Sequence, residues 1–267
     1  YTPNTKKFKN EPLSFKNRFI IHLVCLIPII LGFLIPVLFI INNVIYEFSR
    51  IDFIKVFNLT TNTVIISLIA TLIILVIAVY FQFLKRILKN RTITFFNEVI
   101  SLTYALPGAV IGLSLILLFT SYPFENELLI GSFGILVYAY VIRYMAVGIS
   151  PLKSSFDKHP SSYDDTAFNL GMGPTKLFRS IHLPINKSAI AIAFLITFVD
   201  IIKELPITLI LRPFNFDTLA VQTYEYAIEE MIPKSSIYSL AIVMLGTILL
   251  IFLKKIVNKE IDVPKSK

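Results

Sequence analysis

Six stretches of the chain are dominated by apolar residues over about 20 positions each, the length a helix needs to cross a hydrocarbon core of about 30 Å. They run near Phe19 to Ile41, Thr63 to Leu84, Val99 to Thr120, Leu128 to Ile149, Ser188 to Leu209 and Ile237 to Ile256. The pattern predicts an all-α, polytopic membrane bundle of about six spans, with one longer connection at 150–187. An unstructured connection of that size is uncommon, and its residues predict two short helices. The first covers Pro160 to Leu170, with Ser161 and Ser162 as N-caps and Asp164 and Asp165 at the positive end of the helix dipole. Gly171 ends it, and Pro174 suits the first turn of a second helix reaching Ile181. Leu177, Phe178 and Ile181 share one side of that second helix, which predicts an amphipathic knob pressed into a partner's groove.

Composition agrees: of 267 residues 55% are hydrophobic and none is Trp, and the mean hydropathy of +0.75 exceeds that of soluble domains. Cations gather before Phe19 (Lys6, Lys7, Lys9, Lys16, Arg18) and after the second span (Lys85, Arg86, Lys89, Arg91), whereas Glu125, Glu127, Asp217, Glu225, Glu229 and Glu230 lie in the alternate connections. By the positive-inside rule both termini and the 150–187 loop face the cytoplasm. The net charge of +8 therefore reflects topology and points to no nucleic-acid partner. Residues 1–18 read as a basic tail, 19–256 as the membrane domain and 257–267 as a second tail. Cys25 is the sole cysteine, which excludes an internal disulfide and suggests a small packed hydrophobe.

Enzymatic chemistry finds no support. No glycine-rich phosphate cradle occurs, His22, His159 and His182 have no companion at ligand spacing so that no metal site is assigned, and no nucleophile sits beside a recognisable base. The fifth span, however, carries Asp200, Lys203 and Glu204, each costing roughly 2.5 to 3.5 kcal/mol near the bilayer centre. Helical spacing places all three in one arc, with Lys203 pairing Asp200 and Glu204 facing the same way. A translocation pathway or gate and an ion pair that only packs helices are both open readings. Pro206 is expected to end this helix. Beyond it Arg212, Pro213, Phe216 and Asp217 mark a segment folded back at the outer face, followed by a short helix with Tyr224 and Tyr226.

Two motifs carry a family resemblance. Asp165-Thr166-Ala167, three residues, Gly171, nine residues, then Ile181-His182-Leu183-Pro184 resembles the "EAA" loop of ABC-importer permeases, with Asp for Glu and Thr for the first Ala. The string from Asp200 to Ala220, with Lys203-Glu204-Leu205-Pro206 and Leu211-Arg212-Pro213-Phe214, resembles bacterial ferric-iron permeases. Tyr104 to Val110, with a Pro107-Gly108 bend, and Val141 to Ala146, with Arg143 expected at the cytoplasmic interface, are similar to the third and fourth spans of that family. Ser114 departs from its usual Gly.

The resemblance implies a type I importer permease domain, the C-terminal half of a longer chain, in the bacterial inner membrane. Asp165, Ala167, Gly171, Leu177, Phe178, Ile181, Leu183 and Pro184 would form the loop that couples to a dimeric ABC ATPase. The other implied partners are an extracytoplasmic ferric-iron-binding protein and a first permease half or second permease subunit. No cofactor is expected on this chain; ATP and Mg would belong to the ATPase. The same architecture serves thiamine, sulfate, molybdate or other small solutes, and a non-transporting scaffold or sensor is a further alternative.

Overall fold

A computed structural model describes residues 14–121 and 130–261, so the tail before Ser14 and the acidic positions Glu125 and Glu127 lie outside the described residues. Helices build the bundle, and no strand occurs among the described residues. Helices α1 (Phe15–Ile29) and α2 (Ile35–Glu47) join through a π-helical turn, Ile30–Leu34. Pro28 and Pro36, which have no N–H to give, flank that turn. Helix α3 (Phe53–Leu88) starts at Asp52, whose side chain accepts from the Lys55 N–H at 3.0 Å. It stops at Lys89 in the left-handed conformation, φ 45°, and Asn90 caps α4 (Arg91–Leu102) by accepting from the Thr92 N–H at 2.9 Å. There follow α5 (Gly108–Thr120), α6 (Phe133–Lys158), α7 (Ser162–Asn169), α8 (Pro174–Leu177), α9 (Leu183–Ile185) and α10 (Lys187–Ile202). The last three are α11 (Pro206–Leu211), α12 (Leu219–Ile228) and α13 (Ile232–Ile261).

Four helical stretches are long and apolar enough to cross a membrane alone, and the number reaches six if each of two bent pairs makes one span. The bent pairs are Arg91–Ala105 with Gly108–Thr120 and Pro174–Ile185 with Lys187–Ile202, the latter bent by 70°, and the expected third, fifth and sixth spans all change. The third is broken between Ala105 and Gly108 with a bend of 109°, because Pro107 holds Leu106 in the extended region (φ −73°, ψ 131°). The fifth ends at Ile202 and resumes as α11 from Pro206. The sixth starts earlier, at Ile232, and its helix runs past Ile256 to Ile261.

Helices α3, α6 and α10 pack side by side as the core, with Ile66, Ile74 and Ala78 against Leu136, Ala139, Leu152, Ala193 and Ile201. Small residues permit this approach: a Cβ on Gly148 of α6 would stand 2.6 Å from Ile74 Cγ2 of α3. The first helix is different. None of its most apolar stretch is buried, it meets the bundle mainly where α2 lies on α13, and Cys25 is exposed rather than packed.

At 1.5 Å per residue the 36 residues of α3 span about 54 Å and the 26 of α6 about 39 Å, both longer than a bilayer core. Their ends at Leu88 and Lys158 meet the loop between α6 and α10.

Candidate functional site

That loop is organised by one arginine. Arg86, on the last turn of α3, sends Nε to Asp164 Oδ2 at 2.6 Å, Nη1 to the carbonyls of Phe156 at 2.6 Å and His159 at 3.0 Å, and Nη2 to the Pro160 carbonyl at 2.7 Å. Phe156 lies in the last turn of α6 and His159 and Pro160 just after it, so one guanidinium joins α3, α6 and α7. The other oxygen of Asp164 meets His182 Nε2 at 2.7 Å. Beneath this network Phe83, Phe156, Ala167 and Leu177 form a small core of their own. His182 stacks on Phe156 at 5.5 Å and lies against Phe83 at 5.4 Å. Burial holds the His182 pKa below the usual histidine value, against the opposing hydrogen bond and charge of Asp164. His159 is also lowered, by burial first and then by Arg86 and Lys158.

Helix α7 ends in a Schellman turn: the Met172 N–H reaches the Ala167 carbonyl at 3.0 Å, the Gly171 N–H reaches Phe168 at 2.9 Å, and Gly171 has φ 76°. The second helix is longer than expected, because α8 continues through a π-helical turn, Phe178–His182, into α9. Leu183 is half-buried there, and Pro184 is exposed in its first turn. The orientation of this helix corrects the expected knob. Leu177 is fully buried and Phe178 lies 4.8 Å from Phe83, with Ile181 packed against the same cluster, so the apolar side faces the chain's own helices. What faces outward is Tyr163, Asp165, Phe168, Leu170, Lys176 and Arg179. The anchoring acid is Asp164, and Asp165 beside it is exposed. Sequence reasoning counted Arg86 only as an orientation signal and His182 only as a possible metal ligand.

A second site lies inside the bundle, where the two helix breaks meet. Glu204, 6% exposed, accepts from the Ile207 N–H at 3.0 Å through Oε1, capping α11. Its Oε2 accepts from the Tyr144 hydroxyl and pairs with Arg143 Nε at 3.5 Å. Arg143 Nη1 donates to the Leu106 carbonyl at the other break. Thr208 Oγ1 donates to the Glu204 carbonyl at 3.0 Å and also meets the Tyr140 hydroxyl at 2.5 Å. Backbone groups freed by a break inside a membrane need protein partners, and these charged side chains supply them. Gly108 makes the meeting possible: a Cβ there would stand 2.8 Å from Glu204 Oε1.

The expected charge trio is thus divided. Asp200 pairs with Lys203 at 2.8 Å as foreseen, but α10 stops at Ile202, so Glu204 leaves the helical path and turns inward to Arg143. Arg143 is likewise corrected. It stands ten residues into α6, about 15 Å from Phe133, and its charge is met within the bundle instead of at the interface. Asp200 opens instead onto a cavity of about 470 Å³ with Ser101, Tyr104, Ser150 and Lys153.

At the end of α3 away from the loop, the segment after α11 folds back. Arg212 pairs with Asp217 and with Glu225 at 2.8 Å, Asn62 Nδ2 donates to the Asp217 carbonyl at 3.2 Å, and the Leu219 N–H reaches Thr63 Oγ1 at 2.9 Å. Pro213 is half-buried, and Phe216 meets Phe133 edge-on at 5.5 Å.

The sequence profile of the family described as "Binding-protein-dependent transport system inner membrane component" matches residues 89–263. The chain belongs to this family. The match takes in both helix breaks, the loop and the folded-back segment of this transport component, while Arg86 lies just before it. Among curated relatives, the Fe(3+)-transport system permease protein FbpB 2 of Haemophilus influenzae is 26% identical over 204 residues, 76% of this chain and 40% of the relative. The maltose/maltodextrin transport system permease protein MalG of Escherichia coli K12 is 32% identical over 94 residues, 35% of this chain and 31% of the relative. MalG of Photorhabdus laumondii is 31% identical over the same length. The matched stretches of this inner membrane component cover less than half the length of these relatives, 40% and 31%.

Proposed function

We propose that this chain is the permease half of an ATP-driven importer of ferric iron in a bacterial inner membrane. In this reading a partner ATPase dimer, with its own ATP and Mg, docks on the exposed rim of the 159–186 loop, through Asp165 and the surface around Gly171. An extracytoplasmic iron-binding protein docks at the opposite end, beside Arg212 and Asp217. A second permease half completes the pathway. Both termini face the cytoplasm, following the positive-inside pattern. The observation that carries this reading is the Arg86–Asp164–His182 clamp, which fixes a family-type loop rigidly to the ends of α3 and α6. Closure of the ATPase would then favour one arrangement of the bundle over another, which is the differential affinity that coupling requires. The extent of similarity to the iron permease, 204 residues, supports iron as the cargo.

A second reading, an importer of another solute such as a sugar, is favoured by the higher local identity to the maltose permeases. The test is ATP hydrolysis by the assembled complex in liposomes with iron-loaded, iron-free and sugar-loaded binding proteins. Stimulation by the iron-loaded protein alone is expected. Stimulation only by a protein carrying another solute would overturn the iron assignment and leave the architecture standing.

A further inference from the structure

The turn between α11 and α12 holds one aromatic side chain in and puts another out. Phe216 lies edge-on against Phe133 at 5.5 Å, whereas Phe214, two residues before it, is 100% exposed. A single exposed apolar residue is ordinary on a surface, but here the backbone that carries it is neither helical nor slack. Pro213 fixes its own φ, its carbonyl accepts from the Phe216 N–H at 3.2 Å, and Asn215 takes the left-handed conformation with φ 58°. Arg212 ties the two ends of the turn by pairing with Asp217, and it reaches Glu225 of α12 at 2.8 Å. From behind, Asn62 of α3 donates to the Asp217 carbonyl at 3.2 Å. The Phe214 ring is thus carried on a braced turn.

Its surroundings are polar. Asn215 and Asp217 line a recess of about 320 Å³ together with Asp52, Lys55, Asn58 and Asn62 along the first turns of α3. Three amides, two carboxylates and one ammonium offer donors and acceptors in one place. An anionic lipid surface is met by clustered Lys and Arg, which this recess does not have. An apolar point with polar groups beside it is instead the anatomy of a protein interface, where aromatic residues are the usual hot spots.

We propose that Phe214 is the anchor by which this chain engages its extracytoplasmic binding protein, entering an apolar pocket of that protein while the recess takes polar side chains from the pocket's rim. Because the turn is ordered in advance, little conformational freedom is lost on docking. Asn62 and the neighbouring Thr63, which accepts from the Leu219 N–H at 2.9 Å, join the anchor's segment to α3. The docked protein therefore bears on the same helix that Arg86 holds at its other end.

The family is one of binding-protein-dependent components, and the placement of that protein at this end rests on the proposed function. ATP hydrolysis is measured in nanodiscs holding the full-length permease and its ATPase, over a titration of the purified iron-loaded binding protein. Phe214→Ala is expected to raise the half-saturating concentration by about thirtyfold, with stimulation regained at saturation, and Phe214→Leu by no more than about threefold. A photoreactive benzoylphenylalanine in place of Phe214 should crosslink to the binding protein. An unchanged half-saturating concentration in Phe214→Ala, or crosslinking to lipid alone, overturns the anchor and leaves the importer standing. Should Phe214→Ala respond at no concentration, the crosslink decides. Where a sugar-loaded protein alone stimulates the unaltered complex and Phe214→Ala shifts that titration, the iron reading fails and the anchor stands. Stimulation by neither protein overturns both.

Discussion

Asp164 and Asp165 are chemically identical neighbours with opposite situations. Asp164 is 7% exposed and divides its oxygens between Arg86 and His182, whereas Asp165 faces solvent. Losing one partner of a largely buried pair costs about 3 kcal/mol, because the surviving charge remains desolvated. Asp164→Asn should therefore lower the thermal stability of the detergent-solubilised protein by about that amount, while Asp165→Asn changes it by less than about 0.5 kcal/mol. Under the proposed function Asp165→Asn should still impair ATPase coupling, which liposome hydrolysis would detect. His182 adds a pH dependence. It donates Nε2–H to Asp164 as a neutral ring, and its buried Nδ1 has no partner, so a second ring proton would be stranded. Its folded pKa lies below 6.5, so between those values the unfolded chain binds more protons and stability falls as pH drops below about 6.5. Above that range its contribution is flat. Because His159 acts with the same sign, the comparison to make is stability against pH for the wild type and His182→Gln, the variant showing the shallower loss on the acid side.

At the level of helices, the glycines separate two mechanisms. Gly171 has φ 76° and nothing within 4 Å of the place a Cβ would occupy, so Gly171→Ala strains only the backbone, by about 1 to 2 kcal/mol, and Gly171→Asn by less. Gly108 is the reverse: its φ is ordinary, but Ile207 Cγ1 stands 3.2 Å from where a Cβ would go and Glu204 closer still. Gly108→Val should overpack the α5–α11 contact, cost about 1 to 3 kcal/mol in a thermal melt and disturb both helix breaks together. The bend at Pro107-Gly108 and the stop after Gly171 were readable in the sequence, because proline and glycine act locally on their own backbone. The Arg143–Glu204 pair was not. Helical periodicity reports which side of one helix a residue occupies, and it assumed α10 continued to Glu204 when the helix had already ended at Ile202. For the same reason Leu177 and Phe178 were correctly placed on one side of the loop helix but assigned the wrong neighbour.

For the molecule as a whole, apolar content and charge distribution made an all-helical membrane bundle readable, whereas the depth of the breaks depended on contacts between distant segments. The proposed orientation is open to a direct test in a Cys25→Ser background. Single cysteines at Lys89 and Asn169 should react with a membrane-impermeant maleimide only after the membrane is opened, and one at Phe214, which is 100% exposed, should react in intact cells. The reverse pattern would invert the topology. The Arg86 clamp also has a mechanical meaning. With α3 held to the end of α6 by two hydrogen bonds from Arg86, and to Pro160 and α7 by two more, a tilt of one helix is passed to the other, and the pair behaves as a single lever. A tilt of about 5° about the clamp would displace Asn62 and Thr63, about 36 Å away along α3, by about 3 Å. These two residues hold the folded-back segment, so a small push at the loop would be felt as a movement on the other side of the membrane.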